Sequence, residues 1–127
     1  MGSQAIILDT CIFIDYLRGY TPAAAFIENV NPEQVIFSAI SEAELLRGSY
    51  NNDPKIREKL LHFLAIFEKI DVTNPIALKG GDISRWYNIK VPDAIIAATA
   101  IHENALLVTK NVKDFMGITG LELKEPY

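Results

Sequence analysis

Histidine and cysteine are scarce in this 127-residue sequence, which holds two His and one Cys. A lone cysteine, Cys11, excludes an internal disulfide and fits a reducing cytoplasm. His62 and His102 share no zinc-ligand or acid–base spacing, so both are expected to be structural, and neither is evidently placed to activate Cys11 as a nucleophile. Long hydrophobic runs are missing as well. The longest uncharged apolar stretch, Ala94–Ile101, covers eight residues, whereas a membrane span needs about 20. No charged-then-apolar leader opens the chain, Ile6 stands where a myristoylation signal carries Ser or Thr, and Met1-Gly2-Ser3 matches the pattern of a cloning remnant. There is no glycine-rich phosphate loop, because Gly80-Gly81 falls inside a helical pattern. Nor is there a surplus of positive charge: 12 Lys and Arg face 16 Asp and Glu, for a net charge of −4. A broad phosphate-neutralising surface is therefore not expected. The tightest basic cluster, Lys55, Arg57 and Lys59, reads as the wet face of a helix.

What the sequence does contain is an alternation of short β-rich runs and helical patterns. Ala5–Asp9, Gln34–Ser38, Lys69–Thr73 and Ala105–Thr109 are predicted strands, with Leu121–Leu123 a fifth at an edge. Between them lie predicted helices at Cys11–Arg18, from Thr21-Pro22 to about Val30, from Ser41 to Gly48, from Asp53-Pro54, and from Asn74-Pro75. In the fourth of these, Ile56, Leu60, Phe63, Leu64 and Phe67 share one face. The segment from Pro92 to about Asn104 has almost no polar face, so its helix is expected to be central. This pattern predicts one domain over residues 1–127, a three-layer α/β/α fold with a mostly parallel sheet of four to five strands and right-handed crossovers.

In such sheets ligands sit beyond the carboxyl ends of the strands. Asp9 ends the first strand, Glu44 lies early in the helix after the second, Asp93 opens the buried helix, and Asn111 and Asp114 follow the fourth strand. Each acid has an ordinary structural reading. Asp9 can cap a helix, Ser41 with Glu44 fits a capping box, Asp93 answers a helix dipole, and Asp114 can sit in a turn. Together they repel, and a cation relieves that repulsion. Oxygen-only donors suit Mg²⁺ or Mn²⁺. Setting the four aside leaves 12 acids against 12 basic residues, so the chain's whole acidity can reside in this site. Thr10 and Thr109 are candidates to orient a ligand carboxylate, and Arg18, Arg47 and Lys110 to contact phosphate.

These residues resemble a known family. Asp9-Thr10 with Ile12-Phe13-Ile14-Asp15 is similar to the opening motif of the PIN domain. Ser41-Glu42-Ala43-Glu44-Leu45 with Gly48 resembles its second motif, Asp93-Ala94-Ile95-Ile96-Ala97-Ala98-Thr99-Ala100 its third, and Thr109-Lys110-Asn111 with Asp114-Phe115 its fourth. Size and motif style are most similar to VapC toxins. The resemblance implies a Mg²⁺- or Mn²⁺-dependent endoribonuclease acting on transfer or ribosomal RNA. It also implies a homodimer restrained by an antitoxin whose C-terminal segment lies across the site. Asp9 and Asp93 carry over as the principal metal ligands, with Glu44 as a further ligand or orienter. Asn111 stands where many members carry Asp, which leaves the fourth acidic role to Asp114 or Asn111. The stretch Asp82–Pro92 also lacks the glycine often found before the third motif. An RNA-processing nuclease without an antitoxin is the alternative of the same family. A receiver-like signalling domain is the alternative of another class, and it requires a phosphoacceptor Asp at the end of the third strand.

Overall fold

The computed structural model describes Gln4–Tyr127, and the Met1-Gly2-Ser3 opening lies outside the described residues. Five strands form one sheet in the order β3-β2-β1-β4-β5, with β1 (Ile6–Leu8), β2 (Val35–Ser38), β3 (Glu68–Ile70), β4 (Leu106–Val108) and β5 (Leu123–Lys124). Every pairing is parallel rather than mostly so. Seven helices flank the sheet among the described residues: α1 (Thr10–Leu17), α2 (Thr21–Asn29), α3 (Ala39–Leu46), α4 (Pro54–Leu64), α5 (Asn74–Tyr87), α6 (Val91–His102) and α7 (Val112–Phe115).

Strand alternation divides the core into two layers. Ile7, Ile36 and Leu107 point to one face, where they pack with Ile83 of α5 and Ile96 of α6. Leu8, Val35, Phe37 and Val108 point to the other, against Ile12 and Phe13 of α1 and Leu60 and Leu64 of α4. Neighbouring residues of each strand thus serve opposite layers, the period-2 geometry of a sheet covered on both sides. Helix α6 is buried over Ala94–Ala100 and packs closely on α5. Gly80 permits that approach, since a Cβ there would lie 2.6 Å from Ile95 Cδ1. None of these helices is long and apolar enough to cross a membrane.

Several boundaries differ from expectation. Helix α3 begins at Ala39, not Ser41, because Ser38 is its N-cap and accepts a hydrogen bond from the Ile40 N–H at 3.1 Å. Gly48 does not close α3 in the left-handed region. Its φ is −62°, and its missing side chain leaves room for the Tyr50 ring, which a Cβ would meet at 2.2 Å. Helix α4 ends at Leu64, so Phe67 lies beyond it, and Ile56 is exposed. Strand β3 ends at Ile70, so Asp71 is the first residue past it rather than inside it, and β5 begins at Leu123. The strand order also removes the receiver reading. In the 2-1-3-4-5 order of such domains the third strand adjoins the first, whereas here β3 is an edge strand separated from β1 by β2.

Ser38 is fully buried, so its cap has no water to replace it. Ser38→Ala is expected to lower unfolding stability by about 1 kcal/mol, measured by urea titration. An unchanged midpoint would show that α3 does not depend on this cap.

Candidate active site

The strand order reverses between β1 and β4, and the candidate site lies at that switch point. Asp9 leaves β1 there, buried to 3% exposure. Its Oδ1 accepts the Thr10 N–H at 2.8 Å, so the capping reading of Asp9 holds locally. Its Oδ2 accepts the Thr109 hydroxyl at 2.7 Å and lies 3.4 Å from Cys11 Sγ. Thr109 Oγ1 in turn accepts the Asn111 N–H at 2.9 Å. This relay ties the loop after β4 to the carboxylate that ends β1.

Glu44 does not close a capping box, since the cap of α3 lies one turn earlier at Ser38. Glu44 instead accepts the Thr10 hydroxyl at 2.7 Å through Oε1, with Ser41 Oγ 2.9 Å from the same hydroxyl. A hydroxyl carries one proton, so Thr10 donates to the carboxylate while Ser41 supplies the proton between the two hydroxyls. Thr10 thereby joins α1 to α3 and orients Glu44. Local spacing carries no sign of Ser41's part in this; the same Ser-x-x-Glu pattern reads equally as a cap.

Asp9, Thr10, Cys11, Glu44, Arg47, Asp93 and Asn111 line one open cavity of about 320 Å³. Of the remaining candidates, Thr109 stands buried behind Asp9, and Arg18 lines an adjoining groove. Asp114, in α7, does not line the cavity, but its charge acts on Asp93. Lys110 turns away from the cavity: Nζ donates to Glu125 Oε1 at 3.1 Å and to the Tyr127 carbonyl, 4.8 Å from the Tyr127 ring centroid. The Tyr127 hydroxyl then donates to Asp15 at 2.7 Å. This anchor joins residues 112 positions apart, and no local pattern announces it. His62 and His102 are exposed and outside the cavity.

The electrostatics register the convergence. Partial burial, and then the charges of Asp9, Glu44 and Asp114, raise the Asp93 pKa from 3.8 to about 6, against a small opposing effect of Lys90. Burial, together with the Asp9 charge, pushes the Cys11 thiol up to about 12, so it is no thiolate at neutral pH. Among the described residues no group of three or more His, Cys, Asp and Glu side chains forms a ready-made cation cage. Mg²⁺ does not demand one, because it is commonly held by one or two carboxylates and keeps several waters. The carboxylates on this cavity fit that requirement.

Because the folded-state pKa of Asp93 is raised, the folded protein holds this proton more tightly than the unfolded chain. Stability is therefore expected to fall as pH rises from about 4 to above 6. In metal-free buffer Asp93→Asn should melt higher than wild type near neutral pH, with the difference vanishing at the acid end of that window. A lower melting temperature for Asp93→Asn at neutral pH would mean that helix-dipole stabilisation outweighs the crowding.

Comparison with known proteins agrees with this geometry. The PIN domain profile matches residues 6–116. The chain is 34% identical to "Ribonuclease VapC19" of Mycobacterium tuberculosis over 95% of its own length and 98% of that protein. It is 30% identical to "Ribonuclease VapC1" of Haemophilus influenzae over 93% and 95%. Among solved structures it resembles a toxin–antitoxin complex from Klebsiella pneumoniae, with a TM-score of 0.81, 33% identity, and coverage of 97% of this chain and 98% of that one.

Proposed function

This chain belongs to the PIN-domain family, and we propose that it is a metal-dependent endoribonuclease, the toxin of a toxin–antitoxin pair. One observation carries the reading: Asp9, Glu44 and Asp93, from three distant parts of the chain, open on one cavity, where burial and then the neighbouring like charges raise the Asp93 pKa. The kinship with ribonucleases named VapC supports the substrate class, and the resemblance stated above favours transfer or ribosomal RNA. The whole of residues 1–127 acts as a single nuclease domain in the cytoplasm.

Asp9 and Asp93 would hold Mg²⁺ or Mn²⁺, which when bound polarises the phosphate and makes a bound water acidic. The chain's own residues do the rest. Thr109 and the Thr10 N–H fix the Asp9 carboxylate, so that its oxygens need no reorganisation. Glu44, oriented by Thr10, accepts the proton of the attacking water. Among the described residues Arg47 is the one cation lining the cavity, and it offers paired N–H donors to the scissile phosphate. Asp114 adds negative charge from the rim, and Asn111 occupies the wall where many relatives carry an acid. Arg18 contacts phosphate further from the cut. Lys110 serves the C-terminal anchor instead.

The partner reading has its own support. An apolar groove of about 820 Å³ adjoins the cavity and shares Ile14 and Glu44 with it. Its walls include Ile14, Leu17, Tyr50 and Ile56, all more than a third exposed. A segment of an antitoxin seated there reaches the carboxylates and blocks them. A homodimer completes the assembly, and sedimentation at micromolar concentration tests it.

Asp9→Asn and Asp93→Asn are each expected to abolish Mg²⁺-dependent cleavage of RNA and the rise in melting temperature that Mg²⁺ gives wild type. Thr109→Val should retain the fold and lose roughly 10- to 100-fold in activity. Near wild-type turnover by either Asn variant at saturating Mg²⁺ would remove that residue from the site. Ile56→Asp should weaken antitoxin binding by tenfold or more while the free toxin still cuts RNA. Unchanged affinity in a pull-down and titration would assign the partner to another surface.

A further inference from the structure

Trp86 is the sole tryptophan of the chain and is 58% exposed, an unusual placement for so large an apolar ring. It lies in the last turn of α5, with Lys79 Nζ and the Arg85 guanidinium carbon each 5.7 Å from its ring centroid. Arg85 also pairs with Asp82 at 2.9 Å, on the solvent face of the helix. Asn88 then turns the chain in the left-handed region at φ 54°, and Lys90 holds the N-cap position of α6, three positions before Asp93. Helices α5 and α6 pack side by side, so the end of α5 and the start of α6 share one end of the molecule. Asp93 lies seven positions past Trp86, and a chain that short keeps their Cα atoms within about 25 Å.

We infer that Trp86, with Lys79 and Arg85, forms a stacking site for an unpaired base of the RNA substrate, a few nucleotides from the phosphate that is cut. The inference rests on the ribonuclease reading above and extends it to single-stranded substrate. An exposed aromatic ring with cations at hand is the combination that binds single strands: Lys79 and Arg85 lie over the Trp86 ring in the free protein, and a base that stacks on it takes the place of one cation, which then pairs with the adjoining phosphate. A protein interface accounts for it less well. Lysine is depleted in such interfaces, yet Lys79 lies against this ring, and the charged Asp82–Arg85 pair separates Trp86 from the exposed Leu78. The site also resolves a difficulty of charge. A chain with net charge −4 has no surplus of cations with which to hold RNA over a broad surface, but stacking on one ring contributes affinity that does not depend on net charge.

The single tryptophan reports on its own site. In the full chain carrying Asp93→Asn to prevent turnover, a mixed-sequence single-stranded RNA of about 12 nucleotides is expected to quench Trp86 fluorescence on binding. Trp86→Ala should weaken that binding about tenfold, read by anisotropy of labelled RNA, and Trp86→Phe should recover most of it. In the active chain Trp86→Ala should raise KM for single-stranded RNA with little change in kcat. RNA that binds without altering the fluorescence, or a Trp86→Ala variant with unchanged affinity and KM, would overturn the inference and leave the nuclease reading standing. Fluorescence that follows protein concentration rather than RNA would assign the ring to a contact with a second copy, and would equally overturn it. Failure of wild type to cut any RNA would instead overturn the reading on which the inference rests.

Discussion

Like charge held at one edge of a parallel sheet is the constraint on which the rest of this molecule turns. Asp9 follows β1 as the cap of α1, Glu44 and Asp93 stand on α3 and α6, and the charge of Asp114 in α7 acts on Asp93. A fold that brings such groups together loses stability unless each is fixed by hydrogen bonds or neutralised. Here the two devices are divided. Asp9, nearly inaccessible, has both oxygens engaged by Thr10, Thr109 and Cys11. Among the described residues no such donor meets the Asp93 carboxylate, and burial together with the neighbouring charges raises its pKa to about 6. The group left least satisfied is the one that gains most from a cation.

Two hydroxyls carry the geometry outward from this point. Thr109 locks the end of β4 to the end of β1, and Thr10 locks α1 to α3. Because both lie between elements adjacent at the switch point, the carboxylates are positioned by the packed body of the protein rather than by loops. Side chains held in that way are already arranged for a transition state.

The fold was legible wherever a strand lies between two covered layers. Ile7 and Leu8, Ile36 and Phe37, and Leu107 and Val108 alternate between the layers, and this produces the apolar runs that mark β1, β2 and β4. At the edges the signal thins. β3 reads Glu-Lys-Ile and is mostly exposed, so its span was displaced by a residue or more. The acids of the site were legible from their positions after strands. Their connections were not, because Thr109 meets Asp9 across 100 residues and Thr10 meets Glu44 across 34. The Ser-x-x-Glu spacing pointed to a cap at Ser41 because side-chain direction, not spacing, separates a residue that turns back on its own helix from one that reaches across to another. Lys110 shows the same limit for a cation: its place beside the site motif suggested phosphate, while Glu125 and Tyr127 claim it.

The distribution of the remaining charge explains how an acidic protein can accept a polyanion. Its acid surplus of four equals the number of carboxylates in the set Asp9, Glu44, Asp93 and Asp114, so outside them positive and negative groups balance. Once a divalent cation offsets that cluster, the long-range repulsion felt by an approaching RNA largely disappears. On the proposed reading, recognition then falls to a few placed groups: Arg47 lining the cavity, Arg18 in the adjoining groove, and the Trp86 ring with Lys79 and Arg85. Affinity of that kind depends weakly on bulk salt compared with a surface that neutralises many phosphates.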